Sequence, residues 1–462
     1  MSRGELCSPA AAAAAVTVIG AGLAGCEAAW AAARRGVSVT LVEMKPDNMS
    51  PAHKSPLFAE LVCSNSLKAK KQASAAGLLK REMQLLGSLC VEVAYECEVP
   101  AGGALAVDRE EFARRVTEKI KSHPLIEIQN RIAERIPGEG TVIIATGPLT
   151  GGGLSQDISR LCGGYLSFYD AASPIVTADS VDMSIAFAAS RYGKGDADYI
   201  NCPMNKDEYE AFYRELVSAQ AAPLHEFDHP GDGIPPVLRD IPPLTRGAGK
   251  LTVYEGCMPV EAMAGRGADT LRFGPLKPVG LRDPLTGHRP WAAVQLRAEN
   301  RSRTLFNLVG FQTNLKFPEQ KRVFSMIPGL RDAEFVRYGV MHRNTFIDSP
   351  KLLDADCSLR ADRRIFFAGQ ITGVEGYMES AACGIMAGIN AANRQKGQPP
   401  FVLPGETMTG ALLGYISDRS VAKFQPMGAN FGILPSIEPH IRSKSERYEA
   451  LANRALLIMQ KL

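Results

Sequence analysis

The pattern of apolar and polar positions opens with strand–turn–helix–strand grammar. Residues 16–19 are short, β-branched and apolar, as expected of a parallel strand covered on both faces. Residues 23–35 form an Ala-rich helical run, with Arg34 and Arg35 in its last turn and Gly36 placed as its stop. Residues 37–42 read as a second strand. Further on, 110–121 has helical spacing, 141–146 is another apolar strand and 147–153 reads as a loop. From 173 to about 305 the chain changes to short, interrupted strands. Within that stretch Pro230, Pro235, Pro236, Pro242 and Pro243 predict a rigid surface excursion over 227–250. Order returns with a strand at 365–368, a Gly/Ala-rich helix near 377–393 and a basic helix at about 443–461. There is no internal repeat.

These elements predict an α/β fold: a doubly wound, Rossmann-like nucleotide-binding domain built from both ends of the chain, with an α+β domain inserted in the middle. The expected division is 1–172, 173–305 and 306–462. The late strand is needed because a three-strand N-terminal unit cannot complete a doubly wound sheet.

Composition narrows the class. Lys+Arg 52 against Asp+Glu 49 leaves a net charge of +3 over 462 residues, so any polyanion must meet a local patch rather than the whole surface. No apolar run reaches the ~18 residues that span a bilayer. Arg3 ahead of the alanines at 10–15 faintly resembles a secretory signal, but Glu5 lies in its basic region and the run flows straight into the first strand. The ten cysteines contain no CxxC pair, which removes zinc motifs and the redox dithiol of a disulfide reductase. No metal site is expected, and the thiols point to a reducing, cytoplasmic setting.

The turn after the first strand is Gly20-Ala21-Gly22-Leu23-Ala24-Gly25, and Glu43 ends the second strand 18 positions after Gly25. Glycines at this spacing allow a tight turn, close approach to a pyrophosphate and helix–sheet contact, and the carboxylate can accept from ribose hydroxyls. Two further segments favour FAD over NAD: Ala145-Thr146-Gly147 at the end of a strand, and Ala368-Gly369-Gln370 followed by Gly373 and Gly376 at a helix start. Both look like elements of two-dinucleotide-fold flavoproteins. No second strand–GxGxxG–helix unit follows, which leaves NAD(P)H, where used, to bind transiently on the flavin.

Longer strings are more specific. They include Pro51-Ala52-His53-Lys54, Glu60-Leu61-Val62-Cys63-Ser64-Asn65-Ser66-Leu67 and Val99-Pro100-Ala101-Gly102-Gly103-Ala104-Leu105-Ala106-Val107-Asp108-Arg109. Phe168-Tyr169-Asp170-Ala171-Ala172, Glu255-Gly256-Cys257-Met258-Pro259, Tyr338-Gly339-Val340-Met341-His342-Arg343-Asn344-Thr345-Phe346 and Gly373-Val374-Glu375-Gly376-Tyr377 continue the series. Across nearly the whole chain these resemble the folate- and FAD-dependent tRNA (uracil-5-)-methyltransferases. The resemblance implies methylation of uridine C5 in the tRNA T-loop (position 54), with 5,10-methylenetetrahydrofolate as carbon donor and NAD(P)H-reduced FAD as electron donor. Two family cysteines carry that chemistry, and they match Cys63 and Cys257.

The residue types suit the task. Uracil C5 is a poor nucleophile until a group adds to C6, and a thiolate suits that reversible addition. A second group must then remove the C5 proton. Cys63 is assigned as nucleophile and Cys257 as base, with the reverse assignment open. Tyr377 is a candidate for stacking on the isoalloxazine or folate ring, and His342-Arg343 for facing the folate tail or RNA phosphate. His53 and Lys54, close ahead of Cys63, are candidates to help hold a thiolate, with a solvated loop as the preferred reading. Residues 301–344 hold eight basic against three acidic side chains, which with Trp291, Phe306 and Phe311 suggest phosphate contact and base stacking. The competing readings are the same chemistry on ribosomal RNA, a related FAD-dependent wobble-uridine enzyme, and a non-catalytic flavin-bound RNA-binding protein.

Overall fold

The computed structural model describes residues 16–50, 52–193, 196–222, 258–421, 424–439 and 441–462. The alanine-rich N-terminus, the Pro-rich segment at 227–250 and Cys257 lie outside the described residues.

The opening strand Val16–Ile19 lies inside a six-stranded sheet with Val16, Val18 and Ile19 buried, as its β-branched, mostly apolar run requires. The sheet order is Ser358–Leu359, Asp362–Phe367, Thr141–Ile144, Val16–Ile19, Val39–Glu43, Ile126–Asn130. Val16 pairs with Val39 on one side and Thr141 on the other, and Ile365 joins at Val142, all in parallel. The late strand thus completes the N-terminal sheet. The strands on either side of Val16–Ile19 follow it through separate crossovers, which opens a crevice at the sheet's carboxyl edge.

The helix Leu23–Ala33 crosses the late helix Tyr377–Gln395 in close contact. A Cβ on Gly384 would fall against the carbonyl of Ala24, and one on Gly388 against that of Ala28. Side chains are therefore excluded at that crossing, and backbone meets backbone.

The middle of the chain builds an antiparallel sheet ordered Phe187–Ala188, Tyr199–Met204, Ala292–Ala298, Leu305–Leu308, Ile175–Thr177, Phe335–Arg337. Its core gathers Phe212, Val260, Phe311 and Phe324 from the helices and loops laid on it. The boundary expected at 305 falls inside this sheet, whose last strand ends at Arg337. Strand Leu166–Ala171 pairs antiparallel with Met341–Phe346, so two of the quoted strings, far apart in sequence, are neighbours at the junction of the two units.

Two local expectations change. The loop after Thr146 ends at Gly151, and Gly152–Cys162 is a helix closed by Gly163 in the left-handed region, φ 73°. A small sheet of Ser66–Ala69, Ala104–Val107 and Glu98–Val99 had no clear periodic signal, because its strands are two to four residues long. The Cys63 loop leads into its first strand, and helix Arg109–Ser122 follows its strand Ala104–Val107.

Candidate functional site

The fingerprint turn forms as its glycines require. Gly20 sits at φ 98°, where a Cβ would lie 2.7 Å from the carbonyl oxygen of Ala145, and a Cβ on Gly25 would land on the carbonyl oxygen of Gly20. Glu43 is buried, its Oε2 accepting from the Ala21 N–H at 2.6 Å and its Oε1 from the Lys45 N–H at 2.9 Å. The carboxylate therefore ties the second strand to the turn.

A cleft opens at the carboxyl edge of the sheet and encloses about 1540 Å³ of atom-free space, its mouth included. Gly20, Gly22, Leu23, Ala24 and Glu43 line it from the first strand–helix–strand unit. Ala145, Thr146 and Gly147 line it from the neighbouring strand, and Gly369, Gln370 and Tyr377 from the late segment. Ala21, Gly25, Gly373 and Gly376 shape the turns behind that wall; a Cβ on Gly373 would meet the Phe424 ring.

These residues fit a dinucleotide diphosphate. Gly22 caps helix Leu23–Ala33 without a side-chain hydrogen bond, so first-turn N–H groups remain available, and a Cβ there would meet nothing within 4 Å.

Cys63 lines the same cleft. Its N–H donates to Tyr377 Oη at 2.8 Å, the Ser64 N–H donates to that oxygen at 3.2 Å, and Cys63 Sγ lies 3.0 Å from it. With both phenolic lone pairs engaged, the hydroxyl hydrogen is left to point at sulfur. Burial, then the charge on Cys63, hold the Tyr377 hydroxyl well above its ordinary pKa, so it keeps that hydrogen. Tyr377 thus meets the Cys63 loop through its hydroxyl, a contact its expected stacking did not include.

Further residues converge on this loop. Arg109 Nη1 donates to the carbonyls of Leu61 (2.8 Å) and Val62 (3.3 Å), while its Nε and Nη2 donate to Glu299 Oε2 at 3.1 and 2.8 Å. Burial pulls the Arg109 pKa down, but Glu299, Tyr377 and Cys63 outweigh it and leave the pKa raised. Arg297 donates to Asn65 Oδ1 at 3.0 Å and to Ser64 Oγ at 2.9 Å. Arg337, which its sequence neighbours group with RNA-facing cations, turns inward instead, and its Nη2 donates to the Val62 carbonyl at 2.5 Å.

Other expectations resolve as follows. His53 lines the cleft, its Nδ1 2.6 Å from Ser50 Oγ, and burial lowers its pKa, so it is not part of a solvated loop. His342 and Arg343 lie on strand Met341–Phe346, which also brings Asn344 to the cleft wall. Phe306 and Phe311 are buried in the antiparallel-sheet core and are closed to base stacking. Trp291 is part-exposed, with the Arg272 guanidinium 3.7 Å from its ring centre. Cys202 is fully buried, and that burial pushes its thiol up to about 12, as befits an inert core cysteine. Among the described residues there is no group of His, Cys, Asp and Glu able to hold a metal, and no helix long and apolar enough to cross a membrane.

Fold and cleft together define an α/β FAD-binding protein with a single Rossmann-type dinucleotide sheet. The profile of the family described as Glucose inhibited division protein A matches residues 15–234 and 243–399, and the chain belongs to that family. Within it, the chain is 56% identical over 446 residues to the methylenetetrahydrofolate–tRNA-(uracil-5-)-methyltransferase of Acetivibrio thermocellus, covering 96% of this chain and 98% of that one. It is 55% identical over 444 residues to the protein of the same name from Moorella thermoacetica, covering 96% and 97%. Among solved structures, Aquifex aeolicus GidA superposes with a TM-score of 0.66 at 17% identity, over 97% of this chain and 76% of that one, a likeness of fold.

Proposed function

We propose that this chain methylates C5 of uridine in the T-loop of tRNA, in the cytoplasm, taking its carbon from 5,10-methylenetetrahydrofolate. The names of its near-full-length relatives support the reaction and its substrates. The observation that carries the reading in this chain is Cys63 Sγ, 3.0 Å from Tyr377 Oη in the wall of the dinucleotide cleft.

FAD, recharged by NAD(P)H, supplies when bound the electrons that bring the transferred carbon to the methyl level. The chain's own residues do the rest. The turn at Gly20–Gly25, with Glu43, holds the dinucleotide. The target base leaves its stack to reach the cleft, at a cost smallest for a loop nucleotide. Cys63, as thiolate, adds to C6 of the uracil and makes C5 nucleophilic, while the Tyr377 hydroxyl faces the sulfur as proton-bearing partner. Cys257 takes the C5 proton. Its downstream neighbour Val260 donates to the Gln312 carbonyl, and Thr313, next along, donates to that of Ala172 in the cleft wall, so the described chain on that side is tied to the site.

A T-loop RNA carrying 5-fluorouridine tests this, since fluorine blocks loss of the C5 substituent. With methylenetetrahydrofolate and NADPH it should give an adduct that survives denaturation and maps to the Cys63 peptide. Unchanged methylation by Cys63→Ala overturns the assignment, and an adduct on Cys257 reverses the two roles.

A further inference from the structure

Arg337 is the least explained charged group near the site. It is carried by Phe335–Arg337, the edge strand of the antiparallel sheet, yet its side chain crosses to the Cys63 loop of the other unit. Its Nε is sealed from solvent and has no hydrogen-bond partner among the described residues. A largely buried guanidinium with an orphaned donor is costly, because desolvation is not repaid by pairing. Glu299, a carboxylate within its electrostatic reach, spends Oε2 on Arg109, and Glu299 Oε1 is also buried without a partner among the described residues. Two guanidinium groups therefore hold the carbonyls just ahead of Cys63, against one carboxylate.

We infer that Arg337, with Arg109, is a positioning residue that holds the Cys63 loop in place and biases its sulfur toward the thiolate, so that the antiparallel-sheet unit sets the reactivity of a nucleophile carried by the other unit. This rests on the reading of Cys63 given above. The charged and titratable groups around the loop are Tyr377 from the late helix, Arg109 from helix Arg109–Ser122, Glu299 and Arg297 from the central antiparallel strand and its end, and Arg337 from the edge strand. His53, Lys45 and Glu60 line the cleft beside it. Burial and the neighbouring Arg109 lower the Arg337 pKa, while Tyr377, Glu299 and Cys63 act to raise it, which places all of them within electrostatic reach. Removing one positive charge from this set should disfavour the thiolate, and removing the negative charge of Glu299 should favour it.

The test is the pH profile of iodoacetamide alkylation of Cys63 in the flavin-loaded protein, followed on the Cys63 peptide by mass spectrometry. Arg337→Gln should move the midpoint up by about one pH unit, a tenfold loss of thiolate at fixed lower pH. Arg337→Lys, which keeps the charge, should restore most of the shift. Glu299→Gln should move the midpoint down. Flavin absorbance and thermal unfolding report whether each variant is folded. An unchanged midpoint in folded Arg337→Gln overturns the inference; if that variant does not fold, an unchanged or raised midpoint in Glu299→Gln does so. Failure of the underlying reading is distinct: Cys63→Ala would then methylate at the wild-type rate, whatever the midpoints of the variants.

Discussion

Replacing Tyr377 with Phe removes a single oxygen that meets three groups. Cys63 N–H and Ser64 N–H lose their acceptor, and Cys63 Sγ loses the hydroxyl 3.0 Å away. Each orphaned N–H donor costs about 1–3 kcal/mol of stability. The effect on sulfur is larger in consequence. A hydrogen bond to a charged partner contributes about 1.5–3 kcal/mol, and about 1.4 kcal/mol corresponds to one pKa unit. The thiol of the variant should therefore titrate about one to two units higher, with roughly 10–100-fold less thiolate at neutral pH. Alkylation of Cys63 across pH 5–10, read on its peptide with flavin absorbance recorded alongside, measures this directly. A midpoint that stays put or falls while flavin remains bound would mean that the proton between the two atoms sits on sulfur, and the argument for Tyr377 as donor would be wrong.

Three other outcomes follow from the packing. Gly25→Ala forces a methyl onto the Gly20 carbonyl, so the turn opens and flavin is lost on dialysis; retention of a full complement of yellow chromophore would contradict the turn geometry. Gly384→Ala gains about 1 kcal/mol in helix propensity but overpacks the crossing with Ala24 by about 1–3 kcal/mol, so the melting temperature should fall rather than rise. Burial raises the carboxyl pKa of both Glu27 and Glu261 to about 7, so each binds a proton more readily folded than unfolded. Their contribution is complete below the unfolded carboxyl pKa and is lost as pH rises through about 7. Urea unfolding should show greater stability at pH 5 than at pH 8, with a flatter profile in Glu27→Gln and in Glu261→Gln; identical slopes in wild type and variants would exclude these groups as the source.

The sequence by itself determined the parts of this protein whose signals are short-range. A β-branched run, a glycine turn, an alanine-rich helix and a carboxylate at the next strand's end follow one another within 28 residues, from Val16 to Glu43, and each constrains the local backbone. The late strand and its glycines were legible for the same reason, as were the cysteine-bearing strings, because each is contiguous. Tertiary structure alone decided the surroundings of Cys63. Tyr377, Arg109, the pair Arg297 and Glu299, and Arg337 come from four separate elements, and Tyr377 lies 314 positions from the sulfur it faces. A charged residue reads as a solvated face until the fold places a carbonyl or carboxylate against it, which is why Arg337 looked like an RNA contact and Phe311 like a stacking surface. The same holds for the antiparallel sheet, where Ile175–Thr177 pairs with Leu305–Leu308 and Phe335–Arg337. Local spacing records which way a side chain points from its own backbone; which distant segment lies opposite is set by burying the whole apolar surface at once.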